Sequence, residues 1–478
     1  MCVAAGEVAE LFGCSCFGCH GANSHYNLDE ASPAGGARAD DNPAYLIDVY
    51  MNWRWHADGQ AWMLSMWNQT KLAIQFVLMA APEPYHLPWR MVNTNDEHGA
   101  IGDVNTYNAW ALLVAMAICE QIAPVAGDAA LAQACTSKRL AALASMERLL
   151  WVEVPAPSGN GSLSYWRQAW CTPPHESGTA LEGGSLYFYV WSRVLGLETG
   201  VPVAHVSAHL QAEMARNLGP DGIVFATNRT VDYYLDGCSK TSPQVAVTPQ
   251  AGATARPKDD FTARLAASVT ARSEAGVSPA GSSGQYGGEP FVDNDVWANH
   301  AMTHAAAALY VQTELHHSAA ADALEAARRV IATYREQMND FYDWRDTATR
   351  YDDNTGAFAS DGTLRPSVNS HYTRQTFWFA IVLAMSGQQY DARRGELSFA
   401  PHPSLDNDGS VWLVLLPSYH GLVRRIGRKA SGTRLCVRVS HVFGRHDTLK
   451  ELRTLRLDGK VLGSLVDAGN GSSAMACA

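Results

Sequence analysis

The stretch TNDEHGAIGDVNTYNAWALLVAMAICEQI, residues 94–122, decides how the rest of the chain is read. A short acidic cluster, Thr94-Asn95-Asp96-Glu97-His98, leads through Gly102-Asp103-Val104-Asn105-Thr106-Tyr107-Asn108 into a long apolar run. That run predicts an amphipathic helix from about Ala109 to Ile122. Asp and Asn just before a helix satisfy its free N–H groups, so Asp103 and Asn105 each read equally well as caps or as functional groups. Asp96 stands too far upstream to cap that helix and calls for another reason. Carboxylates, a histidine and amides converging where a polar loop meets a helix start suit sugar hydrolysis. Hydrogen-bonding side chains hold the hydroxyls, and a carboxylic acid protonates the glycosidic oxygen.

Outward from this stretch, apolar spacing predicts helices over 43–58, 60–80, 105–123, 127–150, 183–196, 202–217, 293–314, 319–341 and 370–386. Links are short within consecutive pairs and long between them. That predicts a mainly α toroid of helical hairpins, with its groove where the long loops gather. Residues 152–182, rich in Pro, Gly, Ser and aromatics, read as loop; 240–283, biased to Ala, Ser, Thr, Gly and Pro, read as a mobile insertion. After Gly387 the pattern turns to short β-type runs. Leu435, Val437 and Val439 alternate with polar residues, and Leu455-Arg456-Leu457-Asp458-Gly459-Lys460-Val461 reads as strand, Asp-Gly turn, strand. The expected organisation is an irregular segment over 1–42, a helical barrel over 43–394, a β-rich portion over 395–467 and a frayed tail over 468–478.

The 478 residues are 47% hydrophobic and 17% charged, a globular composition that allows one or two domains. A net charge of −11 argues against nucleic acid or an anionic membrane surface as the main partner. No apolar run reaches the ~18 residues that would cross a bilayer. Residues 1–20 lack the basic start and apolar stretch of a signal peptide. Cys119 and Cys135 fall in apolar helical patterns and read as reduced, buried thiols, which favours a cytoplasmic protein. Asn68, Asn160, Asn228 and Asn470 each begin an N-x-[ST] triplet, but such triplets arise by chance and do not establish secretion. Cys16-Phe17-Gly18-Cys19-His20 has the spelling of a haem attachment site, and Cys14, Cys16, Cys19 with His20 or His25 could be read as zinc ligands. The polar surroundings and irregular spacing favour an incidental cluster of free thiols, so neither metal nor cofactor is expected. The oligomeric state stays open.

Several blocks, in collinear order over residues 43–423, resemble the catalytic region of glycoside hydrolase family 116, which includes non-lysosomal glucosylceramidases and bacterial β-glucosidases. Thr94-Asn95-Asp96 resembles the family's Thr-Tyr-Asp, and Asn105-Thr106-Tyr107-Asn108 its Ser-Ala-Tyr block. Glu147-Arg148-Leu149-Leu150-Trp151 and Trp191-Ser192-Arg193-Val194-Leu195-Gly196-Leu197 match later segments. Asp295-Val296-Trp297 resembles a Glu-Val-Trp, and His371-Tyr372-Thr373-Arg374 with Ser386-Gly387 and Tyr390-Asp391 matches the last helix and its exit turn. The resemblance implies an (α/α)6 barrel and retaining hydrolysis of β-linked glucosides, free or lipid-linked. Asp96 would be the acid/base and Thr94 its neighbour at the sugar. Arg374 would contact a substrate hydroxyl, with His371, Asp295 and Glu289 also at the substrate and Asp103 as the alternative acid.

The family's nucleophile lies in a Glu-Tyr-x-x-x-Asn-Thr-Tyr-Asp block, and none occurs upstream of residue 43. His98 replaces the aromatic Trp expected after the acid/base, and Arg365, Ser367 and Asn369 stand where an acidic residue is expected. A substitute nucleophile would come from Glu289, Asp293 or Asp295, which read equally as helix caps, or less readily from Glu176 or Glu182. The alternative expectation is a non-catalytic carbohydrate-binding relative or an inactive fragment.

Overall fold

The helix Thr106–Ile122 is buried around its whole circumference: every residue from Thr106 to Cys119, and Ile122, is closed to solvent. The expected amphipathic helix is therefore corrected. No charged residue occurs between Thr106 and Cys119, so the helix has no polar face and must be covered on all sides. The computed structural model describes residues 39–91, 93, 102–173, 177–219, 222–223, 226–227, 296–333, 347–349, 351–352, 357–358, 365–366, 378–407, 409–417, 419–426, 436–444, 452–463, 466–467 and 473–477. The insertion over 240–283 and the cluster of Cys14, Cys16, Cys19 and His20 lie outside them.

The described residues are mainly helical, in ten α-helices: α1 Asp41–Trp55, α2 Gly59–Ser65, α3 Trp67–Met79, α4 Thr106–Ile122, α5 Ala129–Leu149, α6 Tyr187–Leu195, α7 Val203–Arg216, α8 Ala298–Glu314, α9 Ala320–Ala332 and α10 Trp378–Ser386. The predicted helix over 60–80 is two helices that part at Met66. In chain order α1, α4, α6, α8 and α10 each pack on the next, α5 folds back on α4, and α9 folds back on α8. Asp128 caps α5 by accepting the Leu131 N–H at 3.1 Å and also holds Lys71 Nζ at 2.6 Å, which draws α3 to the same corner. α6 ends at Gly196, whose φ of +65° places it in the left-handed region, with Leu197 N–H returning to Ser192 O at 2.8 Å. After that turn α7 packs on the strand Ser162–Trp166 and on α8. None of the described helices is long and apolar enough to cross a membrane.

Residues 152–182 are not simple loop. Trp151–Pro155 and Ser162–Trp166 form an antiparallel hairpin, and Ala169–Trp170 and Leu181–Glu182 are short strands. Trp166 anchors the hairpin base edge-on to Trp110 of α4 at 5.6 Å. The aromatic residues that made this stretch look irregular are the ones that pack it.

The β-rich C-terminal portion forms as expected, as two sheets with a common core. One pairs Gln389–Asp391, Glu396–Phe399, Thr454–Leu457 and Lys460–Gly463; the other pairs Val411–Leu416, Tyr419–Ile426, Cys436–Gly444, Ser473–Cys477 and Val466–Asp467. Leu397, Phe399, Leu455 and Leu457 of the first meet Trp412, Val414, Leu416 and Val423 of the second. The alternation Trp412, Val414, Leu416 buried and Val411, Leu413 exposed is the strand period made visible. Ser473–Cys477, in the stretch expected to fray, is a full member of its sheet and places Cys477 opposite Cys436. The sheets are tied to the helices through Gln388, whose Oε1 accepts the Leu415 N–H at 2.9 Å, and through the Arg393 guanidinium, 3.6 Å from the Trp53 ring centre.

The thiol reading of Cys119 and Cys135 is also corrected: they form a disulfide that pins the end of α4 to α5. Both positions face the seam between the two helices, so burial in apolar patterns signalled proximity to each other, not isolation. Closing a loop of this length stabilises by about 3 kcal/mol through the unfolded chain. The double variant Cys119→Ala/Cys135→Ala is expected to lose ~2–4 kcal/mol of unfolding free energy in urea titration; an unchanged value would mean the bridge does not form.

Candidate active site

The N-terminal ends of α4, α6, α8 and α10 are linked by short antiparallel sheets built from the segments that precede them. Val104–Asn105, ahead of α4, pairs with Ala169–Trp170, ahead of α6. Leu181–Glu182, also ahead of α6, pairs with Ala226–Thr227, on the way to α8. Val296–Trp297 pairs with Thr347–Thr349, which pairs in turn with Arg365–Pro366 on the way to α10. First turns meet as well: the Tyr107 ring of α4 lies 5.2 Å from Phe188 and 6.3 Å from Tyr187 of α6. Helix N-termini present unpaired N–H groups and the positive end of the helix dipole, which favours carboxylates and polar ligands.

At the start of α4 the two readings of Asp103 and Asn105 separate. Asn105 is the cap: its Oδ1 accepts the Asn108 N–H at 2.8 Å. Asp103 is not a cap. Its carboxylate is buried, accepting from Arg90 Nε at 2.7 Å on one oxygen and from the Thr172 N–H at 2.7 Å on the other. Its backbone N–H reaches Trp170 O at 2.9 Å, and its carbonyl accepts the Arg90 N–H at 2.8 Å. Asp103 thus ties the segment before α3's successor helix, α4, to two other segments by four hydrogen bonds, and as an alternative acid it has no oxygen left over. Beside it Gly102 has φ +68°, and a Cβ there would stand 2.7 Å from Ala169 Cβ, so only glycine fits. Asn93, buried, marks the other end of the acidic stretch. Met91, whose carbonyl accepts Asn108 Nδ2 at 3.0 Å, and Gly102 are thus both held at the N-terminal end of α4.

A second polar cluster lies under α6 and α8. Glu213 of α7 accepts the Gly184 N–H at 2.8 Å on one oxygen and pairs with His304 Nδ1 of α8 at 2.6 Å on the other. Burial acts to raise its pKa, but the charge and hydrogen bond of His304, with lesser help from His209 and Gly184, prevail and lower it. One turn earlier His209 accepts the Trp166 N–H on Nδ1 at 3.3 Å, so its own proton sits on Nε2, 3.1 Å from Ser185 Oγ. Burial pulls His209 down to about 4, so it is neutral in the fold. Gly184 has φ +74°, and a Cβ there would collide with the His300 ring at 2.3 Å. Both Glu213 oxygens are engaged, which makes this cluster a scaffold for the turn before α6. Asn108 Oδ1 of α4 and Asn299 Oδ1 and Thr303 Oγ1 of α8 are buried without a hydrogen-bond partner among the described residues. Their unmet capacity lies in the first two turns of the two helices.

Asp96, Thr94, Glu289, Asp295, His371 and Arg374 lie outside the described residues, as do Asp293, Glu176 and His98. Of the carboxylates considered from sequence, Asp103 and Glu182 are described, both buried. The strands beside Asp103 and Glu182 bring them to the same end through Gln168, whose N–H reaches Ala180 O at 2.6 Å and whose carbonyl accepts the Thr106 N–H at 3.0 Å. Sequence reading missed the Glu213–His304 pair and His209. The available signal was polar residues four apart within core-facing helices, His209 with Glu213 and His300 with His304. Among the described residues no group of three or more His, Cys, Asp or Glu is placed to hold a metal ion.

Two outcomes are expected. Asp103→Asn weakens a charge-assisted pair and strands a donor, and is expected to cost about 1–2 kcal/mol in urea titration; no change would remove its tethering role. Stability is also expected to fall with pH in two windows. His209 is neutral in the fold and ordinary when unfolded, so stability is full above the ordinary histidine value of 6.5 and is lost as pH drops toward about 4. Glu213 has a lowered pKa, so its contribution is present above 4.5 and is lost as pH falls further. In His209→Gln the first window is expected to vanish from unfolding free energies measured across pH; its persistence would assign the loss to other groups.

Compared with protein-family models and with curated proteins, the chain matches none.

Proposed function

We propose that the chain is a glycosidase-type protein of the six-hairpin (α/α) kind, acting by retention on β-linked glucosides, with Asp96 as acid/base. The observation that supports this most is the linking of successive pre-helix segments at one end of α4, α6, α8 and α10. That arrangement gathers loops from separate hairpins around one area, as a sugar-binding groove requires. In sequence Asp96 falls between Met91 and Gly102, which are both held at that end. Buried amide and hydroxyl oxygens on α4 and α8 add hydrogen-bonding capacity there. The family resemblance of residues 43–423 supplies the roles: Thr94, His371 and Arg374 at the sugar, and Asp295 and Glu289 on the loop before α8.

Retaining hydrolysis needs a second carboxyl ~5 Å from the acid/base. Glu213 cannot serve, because Gly184 and His304 occupy both its oxygens. The candidates are Glu289, Asp293 and Asp295, and, less readily, Glu176 or Glu182, the last buried on the strand ahead of α6.

The test is hydrolysis of a chromogenic β-glucoside panel by the purified chain, beside sugar binding by calorimetry. Asp96→Asn is expected to cut turnover ~10²–10⁴-fold while sugar binding survives, because an amide cannot deliver a proton to the leaving oxygen. Glycosides with activated aryl leaving groups lose less, since they need less protonation. Sugar binding without turnover in the unaltered chain would favour a carbohydrate-binding protein, and neither binding nor turnover would sink both readings.

A further inference from the structure

We propose that Asn160 is an N-glycan acceptor and that the chain matures in an oxidising, oligosaccharide-transferring compartment. Asn160-Gly161-Ser162 is an N-x-[ST] triplet at the tip of the hairpin between Trp151–Pro155 and Ser162–Trp166. Every residue over 157–162 is exposed. On either side of Asn160, Gly159 and Gly161 have φ of +76° and +79°, with no atom within 4 Å of where a Cβ would stand. The tip therefore has open space around it, and its backbone already turns: Gly159 N–H bonds Ala156 O at 2.9 Å and Ala156 N–H bonds Gly161 O at 3.1 Å. A bulky, hydrated modification is accommodated without disturbing a packed contact. The triplet at Asn68 is a useful contrast. It lies within α3, where Thr70 is buried, whereas Ser162 is exposed and its hydroxyl donates to the carboxylate of the equally exposed Glu153.

The cysteines point to the same compartment independently. Cys119 and Cys135 are bridged, and Cys171 is disulfide-bonded too. The register of the C-terminal sheet sets the backbone of Cys436 opposite that of Cys477. Disulfides form and persist in oxidising compartments and are rare in the cytosol, so the bridges reverse the expectation of a cytoplasmic protein.

Both steps balance with ordinary co-reactants. In glycan transfer the Asn160 carboxamide nitrogen bonds to the anomeric carbon of a lipid-pyrophosphate-linked oligosaccharide. The anomeric C–O bond breaks, the lipid pyrophosphate leaves with the electron pair, and the amide gives up one proton. In each bridge a pair of thiols loses two protons and two electrons to the disulfide of a thiol–disulfide oxidoreductase, which is reduced.

The experiment uses the full chain from its own cells, denatured with an alkylating agent and no reductant, then digested with and without peptide N-glycosidase. The peptide carrying Asn160 is expected only after deglycosylation, with Asp at that position, and Cys119 and Cys135 are expected unalkylated in one linked pair. Asn160→Gln and Ser162→Ala are each expected to remove one glycan-sized step in mobility, while Ser162→Thr and Asn68→Gln keep it. An unmodified Asn160 peptide in the unaltered chain overturns the proposal, and so do alkylated Cys119 and Cys135. Hydrolytic activity has no bearing on either result.

Discussion

The burial of α4 on every side is the constraint on which the rest of the structure depends. Leu112, Leu113, Val114, Met116 and Ile118 are all closed to solvent, and each such side chain favours burial by about 1.5–3 kcal/mol. A helix with no polar face cannot lie at a surface, so α1, α3, α5 and α6 must surround it. Its ends then become the places where polar groups have to be satisfied. At the start Asn105 caps, and Asn108 Nδ2 donates to Met91 O at 3.0 Å. At the far end Cys119 is bridged to α5.

The same constraint shapes the N-terminal end as a whole. Helices packed side by side bring their starts together, and the polypeptide entering each must cross its neighbour's entry. Short strands solve this, because pairing satisfies backbone groups that would otherwise be buried unmet. The polar residues beneath them follow the same logic. Glu213 is tolerated in full burial because His304 and the Gly184 N–H take its oxygens, and His209 because it is neutral and bonded on both nitrogens. Their cost appears only when pH changes, since the unfolded chain takes up protons that the fold refuses.

The C-terminal sheets and the hairpin at 151–166 share a different principle. Each is held to the helical body by aromatic groups at its base, Arg393 against Trp53 in one case and Trp166 against Trp110 in the other. The hairpin tip, far from such contacts, is left to solvent, which is where Asn160 stands.

Local pattern alone located most of the helices: apolar spacing gave α1, α4, α5, α6 and α7 within a few residues, but it joined α2 to α3 and set wider bounds for α8, α9 and α10, and Asp-Gly after Leu457 located a turn. It also located the polar entry to α4, because caps and turns are short-range chemistry. Four things required the tertiary structure. Which elements cover the apolar circumference of α4 was decided by the packing of α1, α3, α5 and α6. Whether Cys119 met Cys135 depended on α5 folding back across the link. Asp103 and Asn105 are alike in sequence, but only the approach of Arg90 and Thr172, the latter 69 residues away, made one a tether and left the other the cap. The Glu213–His304 pair joins residues 91 apart, beyond any periodicity within a helix. Sequence reports what a residue can do with its near neighbours, and burial with distant partners decides which of those possibilities is used.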